Sequence, residues 1–150
     1  MKKIAFVSLL FLGLLGCNKQ TDSLDKKINW TLVAQGENGK SKWYIDFDSM
    51  SIKSPNIYSY KELYDSSEPF EAIRNDGRKV KSVIDEKLVN CTDGTTKGES
   101  FTAYIENMGK GMSFTGESKL QMWMGTVPDT PSRKIVIALC QPETRRFLEQ

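Results

Sequence analysis

Between residues 30 and 115, hydrophobic and polar positions alternate in short runs that predict β-strands separated by turns. Residues 30–35 and 42–47 flank the turn signal at 36–39 and predict a hairpin. Further strands are predicted at residues 56–64, 80–90, 100–106 and 112–115, and loops at residues 48–51, 65–69 and 92–98. Short strands joined by turns predict an antiparallel sheet of about six strands.

The last predicted element covers residues 133–140, where the apolar positions fit two periods. Alternate positions 135, 137 and 139 suit a strand, whereas positions 135, 136, 139 and 140 suit one face of a helix. Thr130 can cap a helix, Pro131 suits its first position, and Pro142 follows its end. We therefore predict a C-terminal helix that covers the apolar face of the sheet, which gives an α+β fold.

The N-terminus has the layout of a secretory signal. Lys2 and Lys3 precede an apolar run at residues 4–15, and Gly16 stands directly before Cys17. The run is shorter than the roughly 20 residues that span a bilayer, which argues against a transmembrane helix. An ordinary secretory signal with a chance cysteine is the other alternative. We predict a bacterial lipoprotein in which residues 1–16 are removed and the Cys17 thiol carries the lipid.

The segment after Cys17 defines the predicted domain organisation. Residues 18–29 are polar and charged and can bury little surface, so we predict a lipidated flexible tether at 17–29 and a single domain at 30–150. Asn18 occupies the position where aspartate is associated with inner-membrane retention in enteric bacteria. The outer membrane is therefore the predicted location, with the domain held to the membrane through its lipid.

The net charge limits the classes of partner that the chain can bind, and the cysteine count predicts a disulfide. Of the 21 Lys and Arg residues, Lys2 and Lys3 leave with the signal and the 19 Asp and Glu residues all remain, so the mature chain is formally neutral. A neutral domain lacks the basic surface that nucleic acid requires, and we predict no nucleic-acid partner. Export places Cys91 and Cys140 in an oxidising compartment, where the simplest expectation is that they form a disulfide.

The sequence contains no histidine, which excludes the usual nucleophilic triads and the usual zinc sites. Asp46 and Asp48 share a strand face, as do Asp85 and Lys87, but the first pair looks like a strand end entering a turn. We predict no catalytic residue, no metal and no cofactor.

Short motifs are spread from about residue 30 to residue 140: Trp30, Tyr44-Ile45-Asp46 with Ser49 and Ile52, Lys81-Ser82 ahead of Cys91, Trp123 with Pro128, and Cys140. Together they resemble the surface-adhesin protein E family. The resemblance implies a small outer-membrane lipoprotein with a curved antiparallel sheet, whose C-terminal helix is tied to the concave face by a disulfide. It also implies a non-enzymatic adhesin that binds host matrix or serum proteins such as vitronectin, laminin or plasminogen.

The resemblance further suggests a homodimer and haem capture, although the commonest haem ligand is missing because the chain has no histidine. A different class of function remains open. If the likeness reports the fold alone, the chain is a periplasm-facing lipoprotein that binds an envelope protein or a small ligand.

Two groups of residues are candidates for ligand binding. The first is the basic turn, which we define as Arg74, Arg78, Lys79 and Lys81 and which could contact an acidic protein or a sulfated glycan, or could be a solvated hairpin end. The second is the row of Tyr58, Tyr60 and Tyr64, because tyrosine is enriched at binding hot spots. A core or dimer face is the alternative for these tyrosines.

Overall fold

The computed structural model describes residues 28–36, 38–72, 76–118 and 121–146. They form a seven-stranded antiparallel sheet followed by two helices. The strands are β1 Thr31–Gln35, β2 Ser41–Ser54, β3 Ile57–Glu71, β4 Lys79–Asn90, β5 Thr95–Tyr104, β6 Ser113–Glu117 and β7 Met124–Gly125, and the helices are α1 Pro131–Cys140 and α2 Pro142–Arg146. The predicted α+β class is confirmed.

The sheet is a meander, since β1 to β6 lie side by side in the order in which they occur in the chain. The six predicted strands are all present. The two-residue strand β7 is an addition that pairs with β5 at Thr95 and Thr96, beyond the end of the β5–β6 pairing. It returns the chain to the sheet before α1 begins.

Two predicted loops are wrong, because the chain passes through them as bulged strand. Strand β2 continues across residues 48–51, where its pairing with β3 shifts between Asp46 and Ser51. The Ser49 hydroxyl donates to the Asp46 carbonyl at 2.6 Å and accepts from the Lys61 amide at 2.9 Å. This side chain replaces backbone partners that the bulge removes, so turn-forming residues are accommodated inside a strand.

Strand β3 passes through residues 65–69 in a similar way. Its pairing with β4 shifts between Asp65 and Phe70, and the Ser66 hydroxyl donates to the Glu68 carbonyl at 2.8 Å. The predicted loop at 92–98 is also too long, because β5 begins at Thr95.

The face of the sheet that α1 covers, called here the inner face, holds the main core. The fully buried Ile45, Val89, Ile135 and Leu139 pack together there with Met50, Val136 and two tyrosines. The predicted helix is confirmed: the Thr130 hydroxyl accepts the Arg133 amide, and Pro131 occupies the first turn. The burial of Ile135, Val136 and Leu139 against the sheet holds α1 in place.

The disulfide between Cys91 and Cys140 is also confirmed. It joins the end of β4 to the last residue of α1, with the two Cα atoms 5.4 Å apart. The helix is thus attached to the inner face both by apolar packing and by a covalent bond.

A short 3-10 turn, Asn107–Gly109, lies against the opposite, outer face. The Asp65 carboxylate accepts the Met108 amide at 2.7 Å, and the Ser82 hydroxyl donates to the Glu106 carbonyl and accepts the Gly109 amide. Gly109 has a φ of +68°, and a Cβ there would lie 2.9 Å from Ile84. Only glycine satisfies both the left-handed conformation and this close approach.

The predictions for the signal peptide, for Cys17 and for Arg74 lie outside the described residues. Within the part of the chain that the structure describes, none of the helices is of a length and apolar character suited to crossing a membrane.

Candidate functional site

A cavity of about 350 Å³ opens on the inner face, beside the first turn of α1. We call it the inner cavity. Aromatic rings form much of its wall, and they belong to Trp43, Tyr64, Phe70 and Phe101. Charged groups of β3 and β4 reach into the same space, namely Glu62, Asp85 and Lys87, with Glu71 also on the lining.

The register of the sheet explains why these side chains meet. Glu62 lies opposite Asp85 across β3 and β4, and Asp85 lies opposite Phe101 across β4 and β5. Trp43 of β2 lies opposite Tyr64 of β3. Residues directly opposite each other in an antiparallel sheet project to the same face, so the alternation of the strands places all of them on the side of α1.

The charged groups interact in a small network. The Lys87 ammonium donates to the Glu62 carboxylate at 3.0 Å and lies 3.8 Å from the Asp85 carboxylate. The Tyr60 hydroxyl donates to the other Glu62 oxygen at 3.4 Å. Glu62 is the most deeply buried of the three charged groups, with a side chain only 7% exposed, so its charge is stabilised by these two donors.

Burial shifts the ionisation of the network. Burial raises the pKa of Asp85 to about 6, the Glu62 charge adds to this rise, and the Lys87 charge opposes it. Burial also works to lower the pKa of Lys87, but the Glu62 and Asp85 carboxylates outweigh it and the pKa is raised, so the ammonium stays charged. Burial and the neighbouring carboxylates hold the pKa of Tyr60 well above its ordinary value. At pH 7, above the raised pKa of its carboxyl, Asp85 is therefore mainly charged and lies beside the charged Lys87.

The raised pKa of Asp85 predicts that Asp85→Asn stabilises the domain at neutral pH. The folded protein keeps a proton on Asp85 that the unfolded chain releases near pH 4, so this carboxyl lowers stability as pH rises from about 4 to about 6. We expect no gain from the amide near pH 4 and a gain of up to about 3 kcal/mol in the free energy of unfolding above pH 6. Urea denaturation at pH 4 and pH 8 measures both values.

The matched control is Glu86→Gln on the outer face of the same strand. Glu86 is 53% exposed and forms a surface ion pair with Lys61, so its replacement should change stability by less than about 0.5 kcal/mol at either pH. An Asp85→Asn variant that is less stable than the native chain at pH 8 would contradict the assignment.

The described residues of the basic turn lie in two different environments. Arg78 is paired with Asp76 at 2.8 Å, and its guanidinium lies 3.6 Å from the centroid of the Phe114 ring. Backbone and side-chain hydrogen bonds from Arg78, with its charge, keep the pKa of Asp76 below the ordinary value. Lys79 is paired with Glu71 at 3.0 Å. Each of these two cations thus has an acidic partner within the chain, although both side chains remain more than half exposed.

Lys81 lies in a different environment from Arg78 and Lys79. It lines a second cavity of about 320 Å³ with Ile105, Met108 and Lys110, next to the 3-10 turn. The described members of the basic turn therefore differ in their surroundings: Arg78 and Lys79 are in ion pairs, and Lys81 lines a cavity.

The predicted tyrosine row lies on the inner face, as its period suggested, but it is largely core. Tyr58 is 3% exposed and Tyr60 is 2% exposed. Tyr64 is half-buried and contacts the rings of Trp43 and Phe70, with centroids 5.1 and 5.0 Å away. Tyr58 and Tyr60 thus offer almost no surface to a ligand, in agreement with the core alternative.

The sequence contains a signal for the inner cavity in the alternation of β3 and β4, outside the basic turn and the tyrosine row. Asp85 and Lys87 alternate on β4, and Glu62 alternates with the tyrosines on β3. Charged residues in the same alternation as buried aromatic residues indicate a polar site on the core face of a sheet.

Comparison with solved structures shows what fold the chain shares. Protein E of Haemophilus influenzae is 20% identical and superposes with a TM-score of 0.53, over 73% of this chain and 83% of that one. Protein E from non-typeable Haemophilus influenzae is 18% identical with a TM-score of 0.57, over 78% of this chain and 80% of that one. Among curated protein sequences, none matches this chain.

A comparison with family models gives the family directly. The model described as surface-adhesin protein E matches residues 30–141, which is most of the chain. The match begins at Trp30 and takes in the meander, both disulfide cysteines and α1. The chain belongs to the surface-adhesin protein E family.

Proposed function

We propose that this protein is a lipid-anchored adhesin of the bacterial outer membrane that binds host matrix or serum proteins, with vitronectin, laminin and plasminogen as the first candidates. The observation that carries the proposal is the family match over residues 30–141. The N-terminal layout that ends at Gly16-Cys17 supports attachment through Cys17. A sheet whose C-terminal helix is tied to it by the Cys91–Cys140 disulfide provides a fixed surface for binding.

Exposure on the cell surface is tested by protease treatment of intact cells, with lysed cells as the control, followed by detection of the domain with an antibody. Cleavage on intact cells supports an adhesin. Protection until lysis would contradict it and would favour the periplasm-facing alternative. A Cys17→Ala variant, which has no thiol for lipid attachment, separates surface display from secretion.

Ligand binding is tested with cells that display the full chain and with fluorescent vitronectin, laminin and plasminogen. We expect saturable binding of at least one of these proteins above the level of cells without the chain. Binding that is absent for all three, on cells where the domain is accessible to protease, would contradict the proposed ligand class.

The basic turn is proposed to contribute through Arg74, Lys79 and Lys81. Replacing these three residues with glutamine should weaken binding roughly three- to tenfold at low salt, and the difference should shrink at 0.5 M salt because exposed charges are screened. Arg78 is left in place, since its guanidinium packs on Phe114.

The matched control for the basic turn removes the same charge elsewhere, with Lys53, Lys97 and Lys134 replaced by glutamine. If the control weakens binding equally, net charge rather than the turn is responsible. Unchanged binding by the first variant would eliminate the basic turn as a contact site.

A further inference from the structure

We propose that the inner cavity binds a cationic group, an ammonium or guanidinium carried on an aliphatic stem. The inference stands apart from the proposed adhesin function, because it rests on the walls and charges of the cavity alone. Failure of one proposal therefore does not imply failure of the other.

The shape of the inner cavity suits a group of this kind. Its volume of about 350 Å³ is that of a small ligand site. Trp43, Tyr64 and Phe101 present rings to it from three different strands. Rings attract a cation through their electron-rich faces and an aliphatic stem through apolar contact, so one set of walls serves both parts of the ligand.

The charge balance selects a cation. Glu62 and Asp85 carry two negative charges against the single positive charge of Lys87, and Glu71 at the lining is paired with Lys79. An anion would add to the excess negative charge. A neutral apolar ligand would remove water from Asp85 without replacing its hydrogen bonds, which is unfavourable.

A metal ion fits the inner cavity less well. Among residues 28–36, 38–72, 76–118 and 121–146, no three Cys, Asp or Glu side chains come together as a metal site requires, and the chain contains no histidine. Lys87 also lies between the two carboxylates and would repel a metal at that point.

Asp85 is the carboxylate in the inner cavity that can accept a hydrogen bond from a ligand. The Glu62 carboxylate already accepts from Lys87 and Tyr60 and is 7% exposed. The Asp85 side chain is 28% exposed, and its distance of 3.8 Å from the Lys87 ammonium is too long for a hydrogen bond. An incoming ammonium can therefore hydrogen-bond to Asp85 while its stem lies along the rings.

The inner face of the sheet already contains one contact between a cation and an aromatic ring. The Arg78 guanidinium lies over the Phe114 ring at 3.6 Å, and Phe114 is the edge-on neighbour of Phe101, with centroids 6.4 Å apart. A cation therefore already lies on a ring next to Phe101, which is part of the cavity wall.

Binding should depend on pH, because the ligand requires Asp85 in its charged form. The charged and titratable groups around Asp85 are Glu62 and Tyr60 of β3, Lys87 of β4, and Glu71 at the end of β3, while β5 and α1 contribute the uncharged Phe101 and Ser132. With a pKa of about 6 for Asp85, the affinity should rise about tenfold between pH 5 and pH 7.

The test uses the full chain in detergent micelles and follows the Trp43 indole N–H resonance by NMR. The probes are the N-acetyl methylamides of lysine, norleucine and glutamate, which present a positive, a neutral and a negative side chain, together with cadaverine. We expect a Kd in roughly the millimolar range for the lysine probe and much weaker binding of the other two amino acids. Tighter binding of the lysine probe than of cadaverine would indicate a protein side chain, and the reverse a free amine.

Two variants make the test specific. Asp85→Asn should weaken binding of the lysine probe about tenfold at pH 7 and should abolish the pH dependence, while Glu86→Gln on the outer face should match the native chain. Phe101→Leu keeps an apolar wall but removes a ring, and should weaken binding about threefold. Equal binding of the three amino-acid probes, or an Asp85→Asn variant with native affinity and pH profile, would overturn the proposal.

Discussion

Replacing Cys91 and Cys140 with alanine is expected to lower the free energy of unfolding by about 4 kcal/mol at 25 °C. The two cysteines are 49 positions apart in the sequence, and their bond restricts a long loop of the unfolded chain. A loss of this size is a large part of the free energy of unfolding of a small domain, which is roughly 5 to 15 kcal/mol. Urea denaturation of the double variant beside the oxidised native chain measures it.

Reduction supplies the internal control for the disulfide prediction. The native chain in reducing agent should approach the stability of the double variant, and the variant itself should not respond to the reductant. A loss of less than about 1 kcal/mol would mean that the packing of Ile135, Val136 and Leu139 alone fixes α1 on the sheet.

Lys87→Met is expected to destabilise the domain by about 3 kcal/mol at pH 7, although methionine keeps an unbranched apolar side chain like the stem of the lysine. The substitution leaves the Glu62 and Asp85 carboxylates in the inner cavity without their cation, and Glu62 is only 7% exposed. Removing one partner of a buried ion pair typically costs about 3 to 5 kcal/mol, because the remaining charge is not solvated. The 25% exposure of Lys87 places the expected loss at the lower end.

The pH dependence distinguishes this charge effect from lost packing. The pKa of Asp85 is raised to about 6, so near pH 4 this carboxyl takes up a proton and the loss caused by Lys87→Met should become smaller there. A second change, Glu62→Gln, should recover part of the stability at pH 7. Lys61→Met breaks the exposed pair with Glu86 and should lower stability by less than about 1 kcal/mol. Equal losses for the two lysine variants would contradict the role assigned to Lys87.

Much of the fold could be predicted because local signals agreed with one another. Thr130 and Pro131 mark the start of α1, and the strand pattern from Trp30 onward predicts the meander. The lengths of β2 and β3 could not be predicted in the same way. Ser49 and Ser66 are typical turn residues, and here their hydroxyls satisfy backbone groups inside bulged strands. That outcome depends on the neighbouring strand, which local sequence does not describe.

The site was less predictable than the fold. Asp85 and Lys87 are adjacent in the alternation of a single strand, so their shared face was visible in the sequence. Their contact with Glu62 depends on the register between β3 and β4, which brings residues 62 and 85 opposite each other. The division of the basic turn likewise depends on Phe114 and Glu71, partners that are distant in sequence.

The order of the strands has a consequence for how the chain gains its structure. Each of the first five strands pairs with the strand that follows it, so the sheet can grow by closing short loops, and the loss of chain entropy at each step is small. Cys140 lies after every strand. The pairing of β1 to β6 is therefore local along the chain, and the bond between Cys91 and Cys140, 49 positions apart, is the long-range link that closes α1 onto the meander.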